Sequence, residues 1–364
     1  MVKRIIVAAA VGCLIPHIVI AQEKNAPSRR VMVIQEDVKV KSRSGVKVPV
    51  GLGQVLAITK ENEDWVWVPR LKGWAPKEDT IDLDDAVAYF SAAIKEKPTS
   101  QAYHHRALAW AALKQYEKAI RDYNSAIGIK PSANLHINRG NAYRDSQRES
   151  QAIIDYNQAL QLEPRNVIAL NNRGLIFSAD GKLDQALLDF NAALRIRSNY
   201  AEALNHRGVI HWKKGKLGQA ERDYQKSIQQ NRGYAEPYLN LGALEKTRSN
   251  YEQAVKYYEK ALALEPNFVA ANNDLGWILA TCPQSSVRDP KRAIQYATRA
   301  CQITKLKDAN TLDTLAAALA ATGKFDDAVK RIEQAIRLSN EESKEQMTIR
   351  KNLYVAKQGY VDRN

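Results

Sequence analysis

Cysteine, histidine and glycine are scarce in this chain. Three Cys and six His among 364 residues are too few for a disulfide-stapled scaffold or a ribbon of zinc ligands. Beyond Cys13 only Cys282 and Cys301 remain. Antiparallel packing of their helices would place them at opposite helix ends, too far apart to bridge, so both are expected as buried free thiols. The five later histidines, His104, His105, His136, His206 and His211, form no His-Glu-x-x-His pair. With 17 Gly and 12 Pro the chain is neither collagen-like nor low in complexity. It has no Gly-rich phosphate loop and no Gly-x-Ser-x-Gly elbow. The acid pairs Asp84-Asp85 and Asp326-Asp327 open helices, where carboxylates meet the positive dipole end. No catalytic residue, metal site or cofactor is expected, and the chain reads as a non-enzyme.

Long apolar runs are also missing, save one. Lys3 and Arg4 precede an uncharged stretch from Ile5 to Ile20, and Val19-Ile20-Ala21 offers a cleavage point before Gln22. This reads as a secretory leader over 1–21, which would place the mature protein outside the cytoplasm, in a periplasm or beyond. An uncleaved anchor would need about 20 apolar residues, and Gly12, Pro16 and His17 interrupt this shorter stretch. Ala10-Val11-Gly12-Cys13 only loosely resembles a lipid-attachment box, since the apolar stretch continues past it. No later segment is long enough to span a bilayer. The excess of 54 Lys+Arg over 40 Asp+Glu, net +14, is spread among charges of both signs. It lacks the basic stripe interleaved with aromatics that a nucleic-acid groove needs, so no nucleic acid is expected. A diffuse positive field suits acidic envelope polymers or a membrane surface.

From Arg30 to Ile81 the pattern has period two. Val31–Ile34, Val38–Val40, Val55–Ile58 and Trp65–Val68 read as short strands, separated by Ser44-Gly45, Val50–Gly53 and Glu61–Asp64 as turns. So short a stretch buries an inner face only by curling into a small all-β barrel, placed at 30–81. Trp65 and Trp67 must share one face of their strand, with Val66 and Val68 on the other. The expectation is that Trp65, Trp67 and Trp74 fill the small core; the alternative is a face that grips peptide or glycan. Gly53-Gln54-Val55-Leu56, Asp64–Val68 and Gly73-Trp74 resemble bacterial Src-homology-type (SH3-like) barrels.

The remainder is one motif repeated. Alanines stand at 86, 119, 152, 186, 220, 254, 293 and 328, at steps of 33, 33, 34, 34, 34, 39 and 35. Four residues after the first six comes Phe90, Tyr123, Tyr156, Phe190, Tyr224 or Tyr258, and seven after each a further small residue, which puts all three on one helix face. Ala107, Gly140, Gly174, Gly208, Gly242 and Ala316 precede their alanines by twelve residues, which lets two antiparallel helices close up. Pro98, Pro131, Pro164 and Pro266 stop second helices. The pattern resembles the tetratricopeptide repeat. The resemblance implies a mainly α chain, an α-solenoid over 83–338 with six full repeats and an N-terminal half repeat, capped by a helix at 341–358. Leu83–Pro98 supplies a second helix without a first, so the barrel is expected to cover its apolar face. In the cap helix Ile349, Leu353 and Ala356 are expected to face inward. Between Gly276 and Ala293 the spacing grows from 12 to 17 residues, an insertion placed at Pro283–Asp289, with Asp289-Pro290 restarting the helix.

Arg106, Arg139, Arg173 and Arg207 are each followed sixteen residues later by Asp122, Asp155, Asp189 and Asp223. The other repeats lose both together, as Leu241 with Tyr257, Leu275 with Tyr296 and Leu315 with Arg331. Joint presence and joint loss predict an ion pair within a repeat or between neighbours. First helices of such an array line its concave side. There Asn141, Asn171, Asn205 and Asn273, with Lys213 and Lys246, are expected to hydrogen-bond a partner backbone, and Trp212 and Trp277 to anchor apolar side chains; packing of Trp277 between repeats is the equal alternative. Asn141 and Asn172 match the pattern of tetratricopeptide domains that clamp a C-terminal carboxylate, but Ile137 and Glu202 stand where lysines would be needed. The expected role is an adaptor of the bacterial cell envelope that binds a protein or peptide, with cell-wall attachment through the barrel as the alternative.

Overall fold

Alternating valines at the N-terminal end build two antiparallel sheets around one core. In the computed structural model, which describes residues 29–35, 38–42 and 47–362, the strands are β1 (Arg29–Val33), β2 (Val38–Ser42), β3 (Lys47–Val50), β4 (Val55–Ile58), β5 (Lys60–Glu61), β6 (Trp65–Val68), β7 (Gly73–Pro76) and β8 (Thr80–Asp82). The predicted leader lies outside the described residues. One sheet has the order β4-β1-β8, the other β3-β2-β7-β6-β5. Val31, Val33, Leu56 and Ile58 from the first meet Val38, Val40, Val50, Val66, Val68 and Ala75 from the second. The tryptophans are not among them. Trp65, Trp67 and Trp74 are half-exposed on the outer face, so the core-filling expectation is corrected. The valines of β6 are small enough to fill the narrow space between the sheets, and the indoles are left outside. β3 and β7 fall outside the strands expected from the pattern because each carries a proline. Pro49 sits on the edge strand, and Pro76 lies beyond the two residues of β7 that pair with β2, so neither removes a needed ladder bond.

The chain divides into two compact units, Met1–Ser198 and Asn199–Asn364. In the first, the strands are followed by α1 (Leu83–Glu96), α2 (Ser100–Ala112), α3 (Tyr116–Ile129), α4 (Ala133–Asp145), α5 (Glu149–Leu162), α6 (Val167–Ala179) and α7 (Leu183–Ile196). Helix α1 has no first helix of its own, and the three-stranded sheet covers it. Met32, Leu83, Ala86, Phe90 and Ala109 form one buried cluster, bordered by Ile34, Val55, Ile81 and Leu108. Arg30 Nη1 donates to the carbonyl of Ala112 at 2.8 Å, and Gly53 lies close enough to His105 that a Cβ there would stand 2.9 Å from its ring. Second helices end where expected. Lys97 and Lys130, each just before proline, are extended, as the proline ring requires.

The second unit holds α8 (Ala201–Lys213), α9 (Leu217–Gln230), α10 (Glu236–Thr247), α11 (Tyr251–Leu264), α12 (Val269–Thr281), α13 (Pro290–Ile303), α14 (Ala309–Ala321), α15 (Phe325–Leu338) and α16 (Glu341–Val355). Asp289 caps α13 by accepting from the amide of Arg292, with Pro290 at the first helical position. Cys282 and Cys301 are buried free thiols. In α16 the buried residues are Met347, Arg350 and Tyr354, whereas Ile349 is 47% exposed. The inward face expected from the apolar spacing is therefore displaced, because a paired arginine occupies it.

In the hairpins of Gly140, Gly174, Gly208 and Gly242 the small residue touches the aromatic ring of the second helix. A Cβ on Gly242 would stand 2.6 Å from Tyr258 Cε1, and Gly208 is in the same relation to Tyr224. Both rings are at most 1% exposed and have nowhere to go. Gly128, near the end of α3, has nothing within 4 Å of the corresponding point. Gly128→Ala is expected to raise stability by about 0.5–1 kcal/mol, the entropic gain of alanine in a helix. Gly242→Ala is expected to lower it, because an overpacking cost of about 1–3 kcal/mol outweighs that gain. Opposite shifts of the urea midpoint check the pair; equal shifts would show that the close approach carries no weight.

Candidate functional site

Each predicted arginine reaches its aspartate. Arg106, Arg139, Arg173 and Arg207 lie on α2, α4, α6 and α8, and donate through Nε and Nη2 to both oxygens of Asp122, Asp155, Asp189 and Asp223 on the second helix of the same hairpin, at 2.6–2.8 Å. In the first unit the third arm crosses to the preceding second helix. Nη1 donates to Ser91 Oγ at 3.0 Å, Asn124 Oδ1 at 2.7 Å and Asn157 Oδ1 at 2.6 Å from Arg106, Arg139 and Arg173. One planar guanidinium thus ties three helices, which a point-charge lysine could not do. Of the two readings of the pair, the one within a repeat is realised, and the link to the preceding repeat is a hydrogen bond to Ser or Asn instead. His136 Nδ1 adds a further contact to Asp155 at 3.1 Å.

The first-helix side is less open than the sequence implies. Asn141 Oδ1 accepts from Tyr156 Oη at 2.8 Å and from Asn172 Nδ2 at 2.9 Å. Asn171 and Asn205 are each only 3% exposed. Asn205 Oδ1 accepts from Asn240 Nδ2 at 2.8 Å, and its amide donates to Tyr234 Oη at 3.3 Å. Asn141 and Asn205 thus tie neighbouring first helices through their Oδ1 atoms, and Asn171 lies buried with its Nδ2 3.4 Å from Asn172 Oδ1 on the same helix, so these groups are engaged within the protein rather than presented to a partner as expected. Trp212 packs against the Ala220, Tyr224, Leu241 and Leu244 cluster. Trp277 is covered by the chain's own end. Its Nε1 donates to Asp362 Oδ2 at 2.8 Å, its ring lies 5.8 Å from that of Tyr360, and the Arg350 guanidinium stands 5.3 Å from it.

Three further polar positions among those predicted lie in the second unit. Lys213 is exposed, and Lys246 and Asn273 are half-buried. Asn273 Oδ1 is buried without a hydrogen-bond partner. Next to it, burial pushes the Asp274 carboxyl above its usual range, and Lys246 pulls it back. Burial also raises the Glu236 carboxyl, which shares a hydrogen bond with Tyr234. This side is therefore rich in acceptors, suited to a segment that brings N–H donors. Asn138, Asn172, Asn240 and Asp274 belong to one column, the residue just before the Arg or Leu position of each repeat. That recurrence was the signal for the missed residues. On the β module Trp67 and Trp74 form a cross-strand pair at 5.3 Å, edge to face, and Lys41 Nζ stands 4.7 Å from the Trp65 ring.

His105 is 6% exposed, against Phe90 and beside His104. Burial, then the neighbouring His104, pulls its imidazole down to about 4. An unfolded histidine titrates near 6.5, so between these values the unfolded chain binds more protons. The contribution is full above pH 6.5 and is lost as pH falls toward 4, by up to about 1.4 kcal/mol per pH unit. His105→Leu is expected to gain on the parent protein across that window in melting temperature. A difference that does not vary with pH would refute the assignment.

Models described as "TPR repeat" match residues 140–181 and 175–215. Models described as "Tetratricopeptide repeat" match 199–266, 82–134 and 239–305, and 309–343. None of the curated proteins compared by sequence matches the chain. Among solved structures, a chain of the APC/C hetero-tetramer Cut9–Hcn1 is similar at TM-score 0.60 and 18% identity, over 74% of this chain and 52% of that one. Yeast Tom70 is similar at TM-score 0.55 and 16% identity, over 75% of this chain and 59% of that one. A repeat protein from Parabacteroides merdae gives 0.48 and 19%, over 70% and 98%. This chain spans only about half to three fifths of the first two, and at such identities the likeness concerns the fold.

Proposed function

From a chain that belongs to the tetratricopeptide-repeat family over residues 82–343, we propose a non-catalytic adaptor that holds a partner protein or peptide against the first-helix side of its second unit. The supporting observation is the buried, unpartnered Asn273 Oδ1 beside Lys246 and Asp274. A buried acceptor without a donor costs free energy that a bound N–H would recover. Many shallow polar contacts and few anchors suit reversible holding rather than chemistry. The reading of residues 1–21 as a secretory leader supports a cell-envelope setting for this activity. A photo-crosslinking residue at position 273 tests the reading in cells, with one at Leu188, 69% exposed on a second helix, as control. A specific protein crosslink at 273 and none at 188 supports it. Equal yields, or none at 273, overturn it. A fusion of residues 1–21 to alkaline phosphatase tests export, and an inactive fusion removes the envelope assignment.

The half-exposed tryptophans favour a second reading, in which an SH3-like β module attaches the protein to the cell wall. Indole faces stack on sugars and peptides. Because Val66, Val68 and Ala75 fill the core behind them, Trp65→Ala, Trp67→Ala and Trp74→Ala together are expected to leave the fold intact and to cut sedimentation with insoluble cell wall at least fivefold. A triple variant that sediments like the parent protein excludes this reading.

A further inference from the structure

The last repeat lacks the arginine that ties three helices together elsewhere, and a cavity stands in its place. Leu315 on α14 occupies the arginine position, Thr298 on α13 the position of Asn124 and Asn157, and Arg331 on α15 the aspartate position. These three residues line a cavity of about 580 Å³ between α13, α14 and α15. Its floor is aliphatic, from Ile294 and Leu319. Its rim is cationic, from Lys305, Lys330 and Arg331, with Asp327 the one acid. Among the described residues no carboxylate pairs with any of these cations, and the hydrogen bond of Arg331 goes to Gln334 on its own helix. Compared with the four arginine–aspartate repeats the charge is inverted: the second helix offers the cation, and the stem that should meet it is absent.

The sixth repeat shows what a self-sufficient replacement looks like. Leu275 and Tyr296 stand at its arginine and aspartate positions, and the gap between α11 and α13 is bridged by Arg292 paired with Glu259. A cavity of about 500 Å³ lined by Glu259, Tyr296 and Arg299 is present there as well, but its acid, Glu259, already has its cation. In the last repeat that charge balance is missing. The rim is also strained: Lys305 and Leu306 follow each other in the left-handed region, at φ 53° and 58°, where a side chain is disfavoured. Leu306 is left 45% exposed at the mouth.

We propose that this slot on the second-helix side binds an acidic segment of a partner protein, which inserts a Glu or Asp side chain toward Arg331 and lays an adjacent aliphatic side chain on Leu306 and Leu319. A slot that one extended, charged side chain fills in other repeats accepts one from outside when its own is missing. The inverted polarity selects an anion, and the volume beyond one side chain admits the apolar neighbour. The site is separate from the first-helix side invoked above.

The test pans random phage-displayed dodecapeptides on the full chain and removes those that also bind Leu315→Arg/Arg331→Asp. That double variant rebuilds the arginine–aspartate pair of the other repeats, fills the slot, and is expected to melt no lower than the parent protein. The remaining pool is expected to be enriched at least fivefold in Glu or Asp next to Leu, Ile or Val. A synthetic peptide from it is expected to bind the parent protein at least tenfold tighter than the double variant, and to weaken at least tenfold on Lys305→Glu or Lys330→Glu. These two substitutions at exposed positions carry the test if the double variant does not fold. A pool without acidic enrichment, equal binding to the variants, or octanoate binding as tightly as the peptide overturns the proposal.

Discussion

Asp189→Ala is expected to cost about 3 kcal/mol, and Arg173→Ala about as much, the range found when one partner of a buried pair is removed. Asp189 is 5% exposed and accepts two hydrogen bonds from Arg173. Without the arginine its charge has only a low-dielectric surround. Without the aspartate, the guanidinium keeps its bond to Asn157 but loses its counter-ion. The expected result that matters is the double substitution. This chain already contains Leu with Tyr at the paired positions, as Leu241 with Tyr257 and Leu275 with Tyr296. Arg173→Leu/Asp189→Tyr is therefore expected to lie within about 1 kcal/mol of the parent protein, since a packed apolar pair often replaces a buried ion pair at little cost. The coupling between the two sites is then several kcal/mol, at or above the usual range for contacting residues. Hydrogen exchange of the α6 and α7 amides reads it locally, as a repeat array requires. A double variant as unstable as the sum of Arg173→Leu and Asp189→Tyr would show the residues to be independent.

What was legible in the sequence followed from periodicity, and what was not depended on partners far along the chain. The alanine and the aromatic four residues later mark second helices because the same face is buried in every repeat, and the arginine–aspartate column is visible because it recurs. Period two could say that Trp65 and Trp67 share a side but not which one. The decision rests on whether the space between the sheets fits valine or indole, a tertiary matter. Polar residues on a groove invite the expectation that the asparagines face a partner. For Asn141 and Asn205 bonds run to the next first helix, 31 residues away at Asn172 and 35 at Asn240, at a spacing that only the stacked array makes short. The inward face of α16 was misplaced because Arg350 reads as solvated by type, and it is buried only through Asp313.

Asp313→Ala is expected to have the largest effect in the second unit, about 4 kcal/mol, because both partners are hidden. Arg350 is 8% and Asp313 6% exposed, and the guanidinium donates to both carboxylate oxygens at 2.9 and 2.6 Å. Removing the acid leaves a buried cation whose remaining neighbours are the faces of Trp277 and Tyr360, at 5.3 and 5.4 Å. Cation–π attraction of about 1–2 kcal/mol does not offset such a loss. The same guanidinium seats the tail, since Tyr360 rests on it while Asp362 accepts from Trp277 Nε1 and donates its amide to the Thr281 carbonyl at 2.8 Å. Asp313→Ala is thus expected to free residues 359–362 as well as to loosen α14 from α16. Asp313→Ala/Arg350→Met, which deletes the charge and keeps an apolar stem, is expected to recover more than half of the stability without restoring the tail. Hydrogen exchange separates the two effects: the Asp362 amide loses protection in both variants, while the α14 and α16 amides lose it only in the single one. If the Asp362 amide stays protected in Asp313→Ala, the tail is held by Trp277 alone and the arginine has no part in seating it.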